Sequence, residues 1–539
     1  MQQPNAPTND TYPGSATTAN PANPEDGKTP PEVKVTIHRA SAGIGNLAGD
    51  GQRDSTPNDT ATLTNQHGIA TRLLKDHGHD LRYIVEDKTW LVWTGRWQAD
   101  PNRRLINRLV LTILDRLEGG TAQGASAKVK QERNARALSN LRTMSNLSGI
   151  ADLASVLTSQ SVERHELDDD PHVVGTPNGV LNLATGKLTA HDRSQYVLRS
   201  ISTPYDQQAQ CPRWTAFLHE VLGDDQELQE YMQRLVGYCL TGRTDHQKMW
   251  LLVGQGGNGK STLVEVLRRL LGEYAQQVPD SVLMAGGRSS GPQNELVRLR
   301  GVRLGLLDES DQNGRVNESL AKRLVSSDCL VARPLYGDFQ EFTPTAKFFL
   351  TTNYLPSIRG TDEGIWRRLV VLHFSRRFQV GQDPSLKADL LAELPGILTW
   401  AVEGATKYLR DGLTEPTQLQ QATRAYRAEQ DHVGQFLQDC TVKGEGHRVS
   451  AKDLADLWEL WRINNAIPLM NDNARGKALR GHGLRRDRYG HDNRHHWFGI
   501  SLNENSELVR ELRAGAATRP FSRAPLAVAL WDDEREGAA

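Results

Sequence analysis

Between about residues 246 and 380, short apolar runs (MWLLV, VRLGLL, KFFLTT and LVVLHF) alternate with polar loops and helix-like stretches. That rhythm predicts an α/β core in which strands and helices follow one another along the chain. Leu263, Val266, Leu267, Leu270 and Leu271 recur at helical spacing, so one apolar face of that helix meets a sheet.

Upstream, IATRLLKDH has helical spacing and YIVEDKTWLVWTGRW reads as strands around a Thr94-Gly95 turn, with helical patterns continuing to about residue 160. The stretch HVVGTPNGVLNLATGKLTAHD carries Asn178-Gly179 and a second turn at Gly186, which predicts a small antiparallel meander. Residues 212–242 and 390–428 read as helical. Further on, Leu454, Leu457, Trp458 and Trp461 share one helical face, the mark of packing, ahead of a closing strand HHWFGISL.

Residues 1–65 are rich in Pro, Thr, Asn, Asp and Gly and carry too few large apolar groups to offset the entropy of ordering, so a disordered leader is expected. A loose tail is expected over 504–539. Between them the patterns divide into an N-terminal region at 66–200, the α/β core at 201–385, a helical linker at 386–429 and a small C-terminal unit at 430–503.

Charge narrows the partners only locally. Lys and Arg total 64 against 65 Asp and Glu, so any surface for a polyanion must be a patch. The clearest lies at 473–497, where seven Lys and Arg stand against two Asp. Cys211, Cys239, Cys329 and Cys440 are scattered without Cys-x-x-Cys spacing, which suits a reducing compartment and argues against a zinc ribbon. His491, His495 and His496 lack Cys or carboxylate partners at metal-ligand spacing, so no zinc is expected. No apolar stretch approaches the roughly 20 residues of a membrane span, and the N-terminus lacks a signal-peptide pattern, so a soluble, cytoplasmic protein is expected.

Gly254 to Ser261, GQGGNGKS, fits G-x-x-x-x-G-K-[ST] and lies between an apolar strand and a helix. Gly254, Gly256, Gly257 and Gly259 allow backbone N–H groups to converge on phosphate oxygens, with Asn258 and Thr262 completing the cradle. Lys260 supplies a charge at the β- and γ-phosphates and Ser261 a magnesium ligand, which together predict ATP and Mg2+. The strand of GVRLGLLDES delivers Asp308 and Glu309 at its carboxyl end, Asp308 toward magnesium and Glu309 toward the attacking water. KFFLTTN ends in Asn353, whose amide can bond the γ-phosphate and that water. Arg367 and Arg368 precede a fourth strand, where a guanidinium can stabilise transition-state charge on a neighbouring subunit's ATP.

These residues carry a resemblance. From about 203 to 374, the phrases STPYDQQAQCPRWTAFL, GQGGNGKSTLVEVLRRLLGEYA, LVRLRGVRLGLLDES and VARPLYGDFQEFTPTAKFFLTTNYLPSIRGTDEGIWRRL resemble, in order, superfamily 3 helicases of the phage and plasmid primase-helicase type, related to the poxvirus primase-helicase. The resemblance implies an AAA+-like P-loop ATPase with a helical and β N-terminal region and a C-terminal winged-helix-like domain. It also implies a homo-hexameric ring on single-stranded or forked DNA in a bacterial cytoplasm, with Arg368 as the arginine finger and Arg367 in reserve. Residues 322–347 resemble the family's channel hairpin, which makes Arg333, Tyr336 and Lys347 DNA candidates. Arg485, Arg486 and Arg488 in the basic patch are candidates for DNA phosphates. Where many relatives have Gly-Gly-Asp this chain has Ser326-Ser327-Asp328, which puts the local turn in question. The first ordered segment starts too late for an upstream primase, and the acidic run Asp168–Asp170 reads as a solvated turn, so primer synthesis is expected of a separate polypeptide. Two rival readings remain open: an ATP-binding replication initiator or DNA-loading scaffold without processive unwinding, and a small-molecule kinase sharing the P-loop.

Overall fold

In the computed structural model of the chain the described residues are 64–118, 125–285, 292–308, 314–334, 337–358, 360, 363–378, 383–491 and 493–515. The expected leader, apart from its last two residues, lies outside them, as do Glu309 and Tyr336.

Five strands form a wholly parallel sheet: β1 (Met249–Val253), β2 (Ala275–Gln277), β3 (Leu304–Asp308), β4 (Lys347–Thr352) and β5 (Leu369–His373), in the order β5-β1-β4-β3-β2. The protein is therefore mixed α/β. Alternate side chains serve two cores. Trp250, Leu252, Leu306, Phe349, Val370 and Leu372 face one cluster, while Met249, Leu251, Leu307, Phe348, Leu350 and Val371 face the other. A sheet buried on both faces has no polar side to alternate with, which is why its strands read as unbroken apolar runs.

The helix Lys260–Leu271 buries Leu263, Val266, Leu267, Leu270 and Leu271 against the first cluster, the face its spacing predicted. Each such side chain contributes roughly 1.5–3 kcal/mol on burial, and the sum clamps the helix N-terminus beneath the carboxyl edge of the sheet. The helices Gln226–Leu240 and Leu394–Asp411 pack together in the same cluster.

Ahead of the core, a four-stranded sheet from residues 81–100 and 161–162 packs with helices Gln66–His77, Arg104–Glu118 and Met144–Leu157. The expected meander is present as three antiparallel strands, Val173–Thr176, Gly179–Asn182 and Lys187–Thr189. Asp87 ties this region to the core by accepting from both Arg164 (2.5 Å) and Arg300 (3.1 Å). Burial works to raise its carboxyl, but the two guanidiniums outweigh that and hold it below the usual range. Asp168 departs from the solvated turn expected of it. Its Oδ1 accepts the backbone N–H groups of Leu198 (2.9 Å) and Arg199 (3.3 Å), and burial raises its carboxyl.

The C-terminal unit combines helices His432–Cys440, Ala451–Asn464 and Asp472–Gly481 with an antiparallel sheet of β6 (Thr441–Ser450), β7 (Arg485–Tyr489) and β8 (Arg494–Leu502), in the order β6-β8-β7. Leu454, Leu457, Trp458 and Trp461 are buried there as core. The segment after 503, expected to be loose, continues as a helix, Glu507–Gly515, whose Val509 is fully buried. Its apolar positions Leu508, Val509 and Leu512 lie in one short charged stretch, too few turns for a helical period to stand out. Among the described residues no helix is long and apolar enough to cross a membrane.

Candidate functional site

The loop after β1 is built around its glycines. Gly256, Gly257 and Gly259 have φ of 86°, 59° and 83°, conformations a side chain at Cβ disfavours. Gly254 is required for a different reason: a Cβ there would lie 2.0 Å from Asn258 Nδ2 and 2.6 Å from the Phe374 carbonyl oxygen. The strand-to-loop junction is closed by the segment that follows β5. Phe374 N donates to Val253 O and Phe378 N to Gly257 O, both at 2.7 Å. Sequence reading missed this strap, because nothing in SRRF announces a backbone contact with a distant loop.

Lys260 opens the helix and is buried, and desolvation lowers its ammonium pKa. Its Nζ donates to the Gly254 carbonyl and to Asn258 Oδ1 at 3.1 Å. Asn258 serves as a strut: one end of its amide receives Lys260 and the other donates to Phe374 O at 3.3 Å. Ser261 and Thr262 follow in the first helical turn, where unpaired N–H groups and the helix dipole favour an anion.

The strand order brings the remaining groups to the same place. β4 lies between β1 and β3, and the register sets Asp308 beside Thr351 and Thr352 beside Val253. Thr351 Oγ1 donates to Asp308 Oδ1, and Gln277 Nε2 donates to Asp308 Oδ2 at 2.8 Å. Neither partner was anticipated, since a threonine inside an apolar strand and a glutamine after another carry no motif. Gly256–Thr262, Asp308, Thr351, Thr352 and Asn353 line one cleft of about 450 Å3. Asn353 is exposed at its rim.

Arg367 and Arg368 lie at the opposite edge of the sheet. They precede β5, whose first residue pairs with the first residue of β1, and Arg368 O accepts from Met249 N at 2.8 Å. The length of a five-residue strand, roughly 16 Å, separates them from their own loop. Arg368 donates through Nη1 to Gly364 O at 2.6 Å, whereas the Arg367 side chain is exposed.

The DNA candidates separate on inspection. Leu330–Ala332 and Gln340–Phe342 pair as a two-stranded antiparallel ribbon, and Arg333, just after the first strand, has its guanidinium 5.2 Å from the exposed ring of Phe339. Phe339 was not anticipated. Ser326 and Ser327 make their turn without positive φ, with Ser326 Oγ accepting Asp328 N at 2.8 Å, so serine is accommodated there. Lys347 is a correction. It is 2 % exposed and its Nζ donates to the carbonyls of Thr241, Arg243 (3.3 Å) and Thr345 (3.0 Å), so it joins elements of the core and offers nothing to DNA. Its position at the end of the ribbon segment gave no sign of this, because β4 begins at Lys347 and carries it inside. Arg485, Arg486 and Arg488 are exposed along β7, but successive residues of a strand point to opposite sides, so Arg485 faces away from the other two.

With that geometry in place, similarity to known proteins becomes informative. A family model described as D5 N terminal like matches residues 70–223, and a family of unknown function, DUF5906, matches 252–368. A protein named "Putative helicase" from Acanthamoeba polyphaga mimivirus is 28% identical over 330 residues, covering 56% of this chain and 34% of that protein. A "Putative primase" of African swine fever virus (isolate Tick/Malawi/Lil 20-1/1983) is 27% identical over 303 residues, covering 51% and 31%. In sequence the chain is thus similar to viral proteins named as putative helicases and putative primases. It spans about a third of the length of the curated relatives it matches. Among solved structures, the apo C-terminal region of NrS-1 aligns over 81% of this chain and 99% of that one, with a TM-score of 0.45 and 11% identity.

Proposed function

We propose that this protein is an ATP-driven DNA helicase of phage or plasmid replication, working as a homo-hexameric ring on single-stranded DNA. One observation carries the reading: a glycine cradle, a buried lysine, the Asp308 carboxylate and the Asn353 amide all face one cleft at the carboxyl edge of a parallel sheet. Ligands of open α/β sheets bind at that edge.

The cleft fits a nucleoside triphosphate bound with magnesium. The positive φ of Gly256, Gly257 and Gly259 gives the loop the kind of backbone whose successive N–H groups can converge on an anion. Ser261 and Asp308 would hold the magnesium, which neutralises phosphate charge when bound. Lys260 exchanges its carbonyl partner for phosphate oxygens. Because its charge is already partly stripped of water, attraction to an anion is strengthened. Thr351 and Gln277 orient Asp308, Asn353 positions the attacking water, and Glu309 is assigned as its base.

Since Arg367 and Arg368 sit a strand's length from their own cleft, either reaches a triphosphate only on an adjoining subunit. That placement supports a ring in which each hydrolysis event needs a neighbour. The freer side chain of Arg367 makes it the better finger, reversing the order taken from family resemblance. Arg333 and Phe339, between the paired strands Leu330–Ala332 and Gln340–Phe342, are proposed to touch the strand in the channel, and the C-terminal unit to act as a winged-helix-like DNA module.

The test is ATP turnover by the full chain with and without single-stranded DNA, beside solution mass. Turnover that DNA stimulates, that Lys260→Ala abolishes and that accompanies a multimer supports the motor. A monomer whose turnover ignores DNA overturns it in favour of a kinase. DNA-stimulated turnover without displacement of a strand from a forked duplex favours the initiator or scaffold.

A further inference from the structure

The C-terminal sheet carries a feature that phosphate contacts do not use. In β8, Gly499 adopts φ of 96° and shifts the alternation, so Trp497 and Ile500 both enter the core although they are three residues apart. Phe498 is left on the outer face. The pairing then places Phe498 beside Arg485 of β7 and Arg448 of β6, and His496 beside Asp487. Tyr489 shares this face and is 44% exposed.

The rings and cations of the face are organised together. Tyr489 meets Phe498 edge-on with centroids 6.2 Å apart and His496 at 5.7 Å. Arg448 lies 4.1 Å over the Tyr489 ring and Arg485 5.2 Å over that of Phe498. Among the described residues neither arginine makes an ion pair, so the rings, not carboxylates, hold these guanidiniums. Rings that serve only to fill a core are buried, as Trp458, Trp461 and Trp497 of the same unit are. Aromatic faces interleaved with arginines on an open sheet match a polyanion whose planar groups are unpaired: bases stack on the rings while the guanidiniums meet the backbone between them. Duplex DNA hides its base faces and would engage only the arginines.

We infer that the outer face of β6-β8-β7, centred on Tyr489 and Phe498 with Arg448 and Arg485, is a base-stacking platform for single-stranded nucleic acid. The site deepens the proposed function but does not depend on the ATP cleft.

It is tested on the full chain without nucleotide, by fluorescence anisotropy with a labelled oligothymidylate and with a labelled blunt duplex. The Tyr489→Ala/Phe498→Ala variant is expected to lose roughly tenfold in single-strand affinity per base stack, with the duplex affinity much less affected. Tyr489→Phe retains binding because the ring is kept. Arg448→Gln/Arg485→Gln instead flattens the salt dependence, by a slope of about 0.7 for each phosphate no longer neutralised. An unchanged single-strand affinity in the double alanine variant, or an equal loss toward single strand and duplex, overturns the proposal. A second measurement needs no variant: photocrosslinking to an oligonucleotide carrying 5-iododeoxyuridine should mark Tyr489 or Phe498, and adducts confined to other regions overturn it. Both readouts omit ATP, so a failed motor reading appears as lost turnover with this binding intact.

Discussion

Two glycines of the phosphate loop provide a sharp test of how it is built. Gly256 and Gly259 have nearly equal φ, 86° and 83°, so alanine at either should carry the same left-handed backbone cost, roughly 1–2 kcal/mol. Their surroundings differ. A Cβ at Gly256 meets nothing within 4 Å, whereas at Gly259 it would lie 2.5 Å from Val221 Cγ1 and 3.3 Å from Phe217 Cε2. Both neighbours are buried, so the overlap is not relieved by a rotamer change, and overpacking of this kind costs about 1–3 kcal/mol more. Gly256→Ala should therefore destabilise by roughly 1–2 kcal/mol and Gly259→Ala by roughly 2–5 kcal/mol. At about 2–4 °C per kcal/mol for a unit of this size, thermal unfolding without nucleotide resolves the two. Combining Gly259→Ala with Val221→Ala should recover the packing part alone, leaving a residue near the Gly256→Ala value after the cavity cost of Val221→Ala is subtracted through a double-mutant cycle. Equal shifts for the two single alanine variants, or no coupling between positions 221 and 259, would refute the packing account and with it the fitted shape of the loop.

Other outcomes follow from the same geometry. Thr351→Val removes the hydroxyl that holds Asp308 and should lower kcat by about tenfold or more, as expected for a hydrogen bond to a charged group, while Asp308→Asn should abolish magnesium-dependent turnover. Steady-state ATPase assays check both. Arg367→Ala should cost on the order of 10³-fold in turnover and more than Arg368→Ala. Mixing Arg367→Ala with Lys260→Ala subunits should restore part of the activity if the finger acts across subunits, and a mixture no more active than either variant alone refutes that arrangement. For Lys347, burial pushes the ammonium down to about 7 against an ordinary 10.5. Between those values the unfolded chain holds more protons than the folded one, so stability should rise as pH climbs from about 7 toward 10. Lys347→Met should flatten that rise in thermal unfolding without weakening DNA affinity, and a loss of DNA affinity would reinstate it as a contact.

Much of the α/β core was legible because its signals are local. Strands buried on both sides appear as apolar runs, the Leu263–Leu271 spacing defines one helix face, and glycines with a following Lys260-Ser261 mark a loop whose geometry few other residues allow. The helix at 507–515 escaped because its evident purpose, the burial of Val509, depends on a partner helix some fifty residues earlier. The strap at Phe374–Phe378 and the hold of Thr351 and Gln277 on Asp308 escaped for a related reason. They join residues whose adjacency depends on strand order.

Residue types and their periods alone determined which segments become buried strands and helices, and which short loop takes the glycine-built turn between β1 and its helix, since those outcomes depend on neighbours within a few turns of chain. Tertiary structure decided the rest. The order β5-β1-β4-β3-β2 brings Asp308, Thr351 and Lys260 to one cleft and sends the arginine pair to the far edge, while burial turns Lys347 from a surface cation into an internal clasp. Pairing across β8 puts Tyr489 and Phe498 on one open face, while the positive φ of Gly499 returns Ile500 to the core. Lateral strand order and burial come from packing between distant segments, and no local pattern of side chains encodes them.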